Sequence, residues 1–288
     1  MVSEGQKVGD AMLEQVRDGG LLPAGTPLVA MLSGGRDSVC LLDLAVRLLG
    51  PDAVTALHVN YGLREGSGED EAHCAALCEQ LGARLEVERP SRPEGPGNLQ
   101  AWARDVRYAA AARLALPKEA AIATGHTADD QVETILYRLA SSPSRRALLG
   151  MRRRDGSLVR PLLDFTREQT TAYCEERSLR WRDDPTNAEA GYARNRVRHG
   201  LAPALAEIHP AAARNVLRTA ELLREEAEVL DSLVAAEIDG SGGTARSTIS
   251  LERLAELPPA LRRTGTAMLD LGSGVRAVVE RGVLHAER

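Results

Sequence analysis

The chain has 288 residues, of which 43% are hydrophobic and 27% charged, and a net charge of −5; it has room for a large packed domain and a smaller one, and it is neither a polycation nor a disordered tail. Aromatic residues are 3% of the total, with Phe165 the one phenylalanine, so its cores must be built from Leu, Val and Ala. No apolar run approaches the ~20 residues that cross a bilayer, and MVSEGQKVGDAMLEQ at the start holds no apolar signal core; a cytoplasmic protein with no membrane partner is expected.

TPLVAMLS (26–33) predicts a buried parallel strand that runs into a helix from Asp37 to Leu49. AVTALHVN (53–60) predicts a second strand, Glu69 to Leu81 a helix, and RLEVER (84–89) a third strand. Beyond the Pro/Gly loop PEGPGN come a helix from Leu99 to Leu116, the strand AAIATGH (120–126) and a helix from Asp129 to Ala140. Strands alternating with helices give the α/β class: a Rossmann-like parallel sheet with helices on both faces. Ligands of such sheets bind outside the carboxyl ends of the strands, where SGGRDS (33–38) and GHTADD (125–130) both fall.

After residue 165 the pattern changes. TREQTTAYCEERSL is helical, and Val216, Leu223, Leu230 and Val234 form a helical apolar stripe. DGSGGTARS (239–247) has the composition of a linker. LERLAELPPALRR predicts a short helix, and AMLDLGSGVRAVVERGVLHAE shows period-two stretches divided by glycine turns. The expected organisation is a catalytic domain over 1–200, a small helical domain over 201–238, and a linker, short helix and β-hairpin tail over 239–288, the tail resembling a truncated C-terminal module.

The four cysteines are Cys40, Cys74, Cys78 and Cys174. Cys74 and Cys78 are one helical turn apart and are expected to face the core as free thiols. A metal pair with His73 is the competing reading, but no second cysteine pair exists to complete the site.

SGGRDS sits where a strand turns into a helix. Gly34 and Gly35 let backbone N–H groups point one way, Ser33 and Ser38 add hydroxyls, and the helix N-terminus adds partial positive charge: together an anion cradle. It is not a Walker A loop, which requires G-x-x-x-x-G-K-[ST]. A plain Gly-Gly turn capped by Asp would explain the glycines but not both serines. Asp37 would repel phosphate unless a cation lay between them, which points to ATP with Mg²⁺. In GHTADDQVET (125–134), Asp130 and Glu133 share a helix face and Asp129 lies near the helix start. Capping would explain one of these acids, not the cluster.

SGGRDS resembles the S-G-G-x-D-S signature of the PP-loop ATP pyrophosphatases, and GHTADDQVET resembles the H-x-x-D-D-x-x-E-T motif of the tRNA(Ile)-lysidine synthetases. HVNYGLR (58–64), NLQAWARDVRY (98–108, with A-R-x-x-R-Y), RPLL (160–163), WRDDPTN (181–187) and YARNRVRHGLAPAL (192–205) follow in that family's order, so the resemblance covers about residues 27–235. RLASSPSRRALLGM stands where the family has a glycine-rich R-G-x-G stretch, Asn60 and Tyr61 replace its D-H, and Gln100 stands where Glu is common.

The resemblance implies a ligase that joins lysine to C2 of the wobble cytidine of the isoleucine tRNA with anticodon CAU. The C2 oxygen first attacks the α-phosphorus of ATP and releases pyrophosphate; the ε-amine of free L-lysine then attacks C2 and expels AMP. It implies that Ser33, Gly34, Gly35, Arg36, Asp37 and Ser38 hold ATP, and that Asp37, His126, Asp129, Asp130 and Glu133 are catalytic. Mg²⁺ would be held by Asp37 and one of the Asp129/Asp130 pair, assigned as Asp130. Another acid would bind the lysine ammonium, and an acid or His126 would accept its proton. The tRNA anticodon loop would be met by Arg104, Arg107, Arg194, Asn195 and Arg198, with Arg194 and Arg198 expected at the edge of the helical domain, beyond the phosphate loop. Arg145, Arg146, Arg152 to Arg154 and Arg196 are further candidates for a basic surface facing the tRNA, Arg152 to Arg154 reading equally as a solvated face, and Trp102 and Trp181 read as packing residues. The rival readings are a PP-loop tRNA thiolase, which would need catalytic or cluster-binding cysteines, and a non-catalytic nucleotide-binding module.

Overall fold

The computed structural model describes residues 6–63, 66–91, 98–182, 193–239, 247–249, 268–272, 275–280 and 283–287. Its centre is a six-stranded sheet. The strands are β1 (Leu28–Met31), β2 (Val54–Val59), β3 (Arg84–Glu88), β4 (Ala121–Ala123), β5 (Arg154–Asp155) and β6 (Leu158–Val159), in the order β3-β2-β1-β4-β6-β5. All neighbours are parallel except β5, which pairs antiparallel with β6. Ala30 sits in register with Ala56 on one side and Ala123 on the other, so a row of small, fully buried side chains crosses the sheet centre.

The expected α/β class, a Rossmann-like parallel sheet with helices on both faces, is observed. Alternation along β1 divides the core. Leu28, Ala30 and Leu32 belong to a cluster shared with α1 (Gln6–Asp18), α2 (Arg36–Leu49), α3 (Ser67–Leu81) and α6 (Arg167–Glu176). Val29 and Met31 belong to a second cluster, with α4 (Leu99–Ala115). A strand buried on both faces must be apolar at every position, which is why LVAM carries no polar residue.

Helix α6 is fastened to α2 by a buried carboxylate. Asp43 is 1% exposed. It accepts hydrogen bonds from Tyr173 Oη at 2.5 Å and Arg177 Nε at 3.1 Å, while Arg47 donates to Tyr173 Oη at 3.2 Å. A charge so deeply buried persists only when hydrogen-bonded in this way.

The chain divides into two compact units, Met1–Leu217 and Arg218–Arg288. In the first, α5 (Ala128–Ser141) packs Val132 and Leu136 against Val197, Leu205, Val216 and Leu217. Those partners lie on a π-turn at Val197–Leu201 that follows α7 (Ala193–Arg196), on α8 (Ala202–Ile208) and at the start of α9 (Ala212–Asp239). The boundary expected at residue 200 therefore falls inside a helical stretch committed to α5, and the division comes later. The second unit contains a four-stranded antiparallel sheet, β7 (Ser247–Ile249), β10 (Val283–Glu287), β9 (Val275–Glu280) and β8 (Met268–Gly272) in that order. The expected hairpin is present and enlarged: β7, at the end of the expected linker, pairs with β10. The short helix expected at 251–263 lies outside the described residues.

Candidate active site

The phosphate loop connects β1 to α2. Gly34 has φ +84°, a left-handed conformation suited to glycine, and a Cβ there would lie 3.3 Å from Cys74 Sγ. Its carbonyl accepts from Arg182 N at 3.0 Å, and the Arg182 guanidinium reaches Asp70 and Glu69 on α3, each at 2.8 Å. The loop is thus strapped from behind by residues far away in sequence. Ser38 Oγ donates to Gly35 O at 2.7 Å and accepts from Ser33 N at 3.2 Å, with Ser33 Oγ 3.1 Å away. The serines shape the loop in this state; their hydroxyls can rotate to meet a ligand. Gly35 is the N-cap of α2 and supplies no side-chain cap, so the first N–H groups of the helix stay available to an anion.

Asp37 stands in the first turn of α2. Its Oδ1 accepts from Arg36 Nε at 3.1 Å and from Thr170 Oγ1 at 2.6 Å, whereas its Oδ2 has no partner among the described residues. One free carboxylate oxygen beside an anion cradle fits Mg²⁺, which takes one or two carboxylates and completes its shell with phosphate oxygens and water. No group of three or more ligating His, Cys, Asp or Glu side chains occurs among the described residues, so a closed protein cage is absent there.

Helix α5 begins with a capping box. Thr127 Oγ1 caps the backbone of Asp130, and Asp130 Oδ2 accepts from Thr127 N at 2.9 Å and Thr127 Oγ1 at 3.1 Å. Asp130 Oδ1 is held by Arg167 Nη2 at 2.8 Å and Arg194 Nη2 at 3.2 Å. Burial pushes the Asp130 carboxyl up, but Arg167, Arg194 and the Thr127 N–H outweigh it and hold it below the usual carboxylate range. Both oxygens are engaged in this structure, where Asp130 serves as a cap and an ion-pair partner. Asp129 Oδ2 accepts from Arg167 N at 2.7 Å, so it caps the neighbouring helix α6. Glu133 is 3% exposed and faces three arginines: Arg167 at 2.8 Å, Arg194 at 3.1 Å and Arg198 at 3.8 Å. Its Oε1 receives no well-directed hydrogen bond despite this crowd.

Arg194 and Arg198 are therefore not beyond the phosphate loop. They close the acid cluster, which corrects their expected placement. Asn195 lies between them on α7, half-buried. Arg104 and Arg107, on α4, are exposed; the Arg104 guanidinium lies 4.8 Å from the Tyr108 ring centre. His126 Nδ1 is 2.8 Å from Thr124 Oγ1. Burial, helped by Arg160, Arg194 and Arg107 and opposed by Asp130, pushes the His126 imidazole down to about 4. It is neutral near pH 7 and a weak base, which weakens its case as the proton acceptor. Trp102 packs edge-on against Tyr61, with ring centres 5.7 Å apart, and Trp181 packs on the core, as expected of packing residues. Arg153 pairs with Asp164 at 2.6 Å and Arg154 donates to Leu21 O at 3.2 Å, while all three arginines of that run remain exposed.

The residues that sequence reasoning missed are Arg167, Thr170 and Arg182. Thr166 and Gln169 form a capping box that marks the start of α6, and this was legible. Which acids the next arginine would reach was not. All four cysteines are buried free thiols, with Cys74 pushed by burial up to about 12 and Cys78 up to about 11. A cavity of about 300 Å³ opens at the opposite, amino ends of the strands, near Thr55, Arg84 and Lys118; no motif residue reaches it.

Residues 11–205 match the family model of the PP-loop domain. The chain is 41% identical over 256 residues to a tRNA(Ile)-lysidine synthase of Thermus thermophilus, covering 87% of this chain and 50% of that protein. It is 38% identical over 290 residues to the tRNA(Ile)-lysidine synthase of Thermobifida fusca, covering 97% and 85%, and 37% identical over 264 residues to that of Nocardia farcinica, covering 90% and 80%. The chain thus spans about half the length of some curated relatives and most of others. Among solved structures it resembles the U34-tRNA thiolase NcsA of Methanococcus maripaludis with its [4Fe-4S] cluster, with a TM-score of 0.64 at 17% identity, covering 76% of this chain and 80% of that one; this likeness shows the fold alone.

Proposed function

The chain belongs to the tRNA(Ile)-lysidine synthase family of PP-loop proteins, and from that premise we propose that it ligates free L-lysine to C2 of the wobble cytidine of a CAU-anticodon isoleucine tRNA. The observation that carries the reading is the meeting of two motifs. Gly125 packs directly on the Asp37 backbone, so the phosphate loop and the acid cluster line one site.

In this reading the Ser33–Ser38 loop and the N-terminus of α2 hold the β- and γ-phosphates. Asp37, through its free Oδ2, would hold Mg²⁺, which would supply positive charge to the triphosphate and its leaving pyrophosphate. The cytosine C2 oxygen attacks the α-phosphorus, and the target base is already unstacked because an anticodon loop is single-stranded. Exposed Arg104 and Arg107 approach the RNA, which suits an acidic protein whose attraction to tRNA must be local.

The lysine step sets a constraint. Neutralising an amine of pKa ~10.4 near pH 7 costs about 4.6 kcal/mol, so its proton must leave as attack begins. The ammonium needs a carboxylate, yet Asp130 and Glu133 already face arginines. One guanidinium has to yield. Arg167 is the fixed one, at 18% exposure, and Arg194 the displaceable one, at 46%. Glu133 Oε2, which Arg194 Nε holds at 3.1 Å, is the oxygen that this displacement would free for the cation.

The thiolase reading is less supported. The four cysteines are buried, and the two closest in sequence have raised pKa values, the opposite of what a reactive thiolate needs. The test is pyrophosphate release with and without the isoleucine tRNA, followed by incorporation of labelled lysine. Sulfur transfer, or pyrophosphate release without lysine incorporation, would sink the proposal.

A further inference from the structure

We infer that Thr170 is a positioning residue for the ATP-activating step: its hydroxyl fixes one oxygen of Asp37 so that the other stays free for the metal–triphosphate. The inference rests on the reading of Asp37 as the Mg²⁺-binding carboxylate.

Thr170 is fully buried and lies 133 residues from Asp37 in sequence. Its Oγ1 has one proton and two acceptors within reach, Asp37 Oδ1 at 2.6 Å and the Arg167 carbonyl at 3.1 Å. The shorter, charge-assisted contact takes the proton. Arg36 Nε closes a triangle, lying 3.1 Å from Asp37 Oδ1 and 3.2 Å from Thr170 Oγ1. Both contacts on Asp37 converge on Oδ1, and Oδ2 has none among the described residues.

The support behind Thr170 is rigid. One turn further along α6, Tyr173, and just past the helix end, Arg177, grip the buried Asp43 of α2, the helix that carries Asp37 in its first turn. The two helices cannot slide without breaking that network, so the hydroxyl is presented at a fixed place. Without it, the Asp37 carboxylate could rotate and pair with Arg36 through both oxygens, as guanidinium–carboxylate pairs prefer. A merely structural threonine would not need this contact. Bonding to the Arg167 carbonyl would satisfy its hydroxyl, and valine would fill the same space.

The test is calorimetric binding of α,β-methylene ATP with and without Mg²⁺ to wild type, Thr170→Val, Thr170→Ser and Asp37→Asn. Thr170→Val should bind the Mg²⁺-loaded nucleotide about tenfold more weakly, the size of one hydrogen bond to a charged group, and the metal-free nucleotide as wild type does. Thr170→Ser should restore binding. Should Thr170→Val fail to fold, Thr170→Ala takes its place in the same titration. Wild-type Mg²⁺-dependent binding by the valine or alanine variant, equal loss with and without metal, or failure of serine to rescue would each overturn the inference. Asp37→Asn separates the two layers. If it keeps metal-dependent binding, the reading of Asp37 is at fault; if it loses binding while Thr170→Val does not, this inference alone is.

Discussion

Gly125 and Asp37 touch through their backbones: a Cβ at Gly125 would stand 2.8 Å from the Asp37 carbonyl oxygen and 3.1 Å from Ser38 N. Two motifs some ninety residues apart are held at one another by this contact. Neither backbone can yield without moving the first turn of α2. Gly125→Ala should cost about 1–3 kcal/mol of stability through overpacking and should lower nucleotide affinity as the phosphate loop shifts. Thermal unfolding and nucleotide titration check it; an alanine variant with wild-type nucleotide binding would show that the loop tolerates the displacement.

The cysteines face the opposite outcome. Cys74 and Cys78 pack behind the phosphate loop, and Cys74 Sγ lies 3.4 Å from His58 Nδ1. A Cys74→Ala/Cys78→Ala double variant should lose some stability to small cavities and keep turnover within a few-fold of wild type. A stable double variant without activity would return attention to sulfur chemistry.

Arg167 and Arg194 pair with the same two acids but should behave differently when removed. Arg167→Gln leaves Asp130 and Glu133 short of a buried partner and should destabilise the fold by about 3 kcal/mol. Arg194→Gln should cost little stability and should tighten lysine binding several-fold, because the substrate ammonium no longer competes with a side chain. Denaturant melts and lysine titrations of the two variants settle it; weaker lysine binding by Arg194→Gln would mean that the arginine assists the substrate.

Salt dependence distinguishes RNA-facing arginines from structural ones. Arg104→Ala and Arg107→Ala should each flatten the slope of log tRNA affinity against log salt by up to about one unit. Arg194→Ala and Arg198→Ala should leave the slope nearly unchanged, since Asp130 and Glu133 already neutralise them. A flattened slope in the latter pair would show that these arginines turn to the RNA when it binds.

His126 provides a pH signature. Its imidazole titrates near 4 in the folded protein against 6.5 ordinarily, chiefly through burial. Between those values the unfolded chain binds a proton that the folded one refuses. Stability is therefore complete above pH 6.5 and falls as pH drops toward 4. Wild type should lose about 2 kcal/mol from this group between pH 7.5 and pH 5, and His126→Asn should lose correspondingly less over the same interval. Urea midpoints at the two pH values measure the difference; parallel losses would place the imidazole in contact with water.

The sequence by itself determined the local elements. Continuous apolar runs such as LVAM are required of a strand covered on both faces, and the period of the intervening segments is that of helices, so the βα alternation was legible. So were the glycine turn at Gly34 and the acids of the α5 motif, because each rests on neighbouring residues. Helix α1 and the two-residue strands β5 and β6 were not anticipated, since strands of two residues carry no readable period. Only the tertiary structure decided which charges meet. Arg194 in a run of arginines looks the same whether it faces phosphate or a buried glutamate, and nothing near Thr170 announces Asp37. Periodicity states that a side chain is buried but not against what. Ion pairs and hydrogen bonds between distant residues depend on the path of the chain, and here the docking of α6 on α2 through Asp43 brings Thr170 to the phosphate loop.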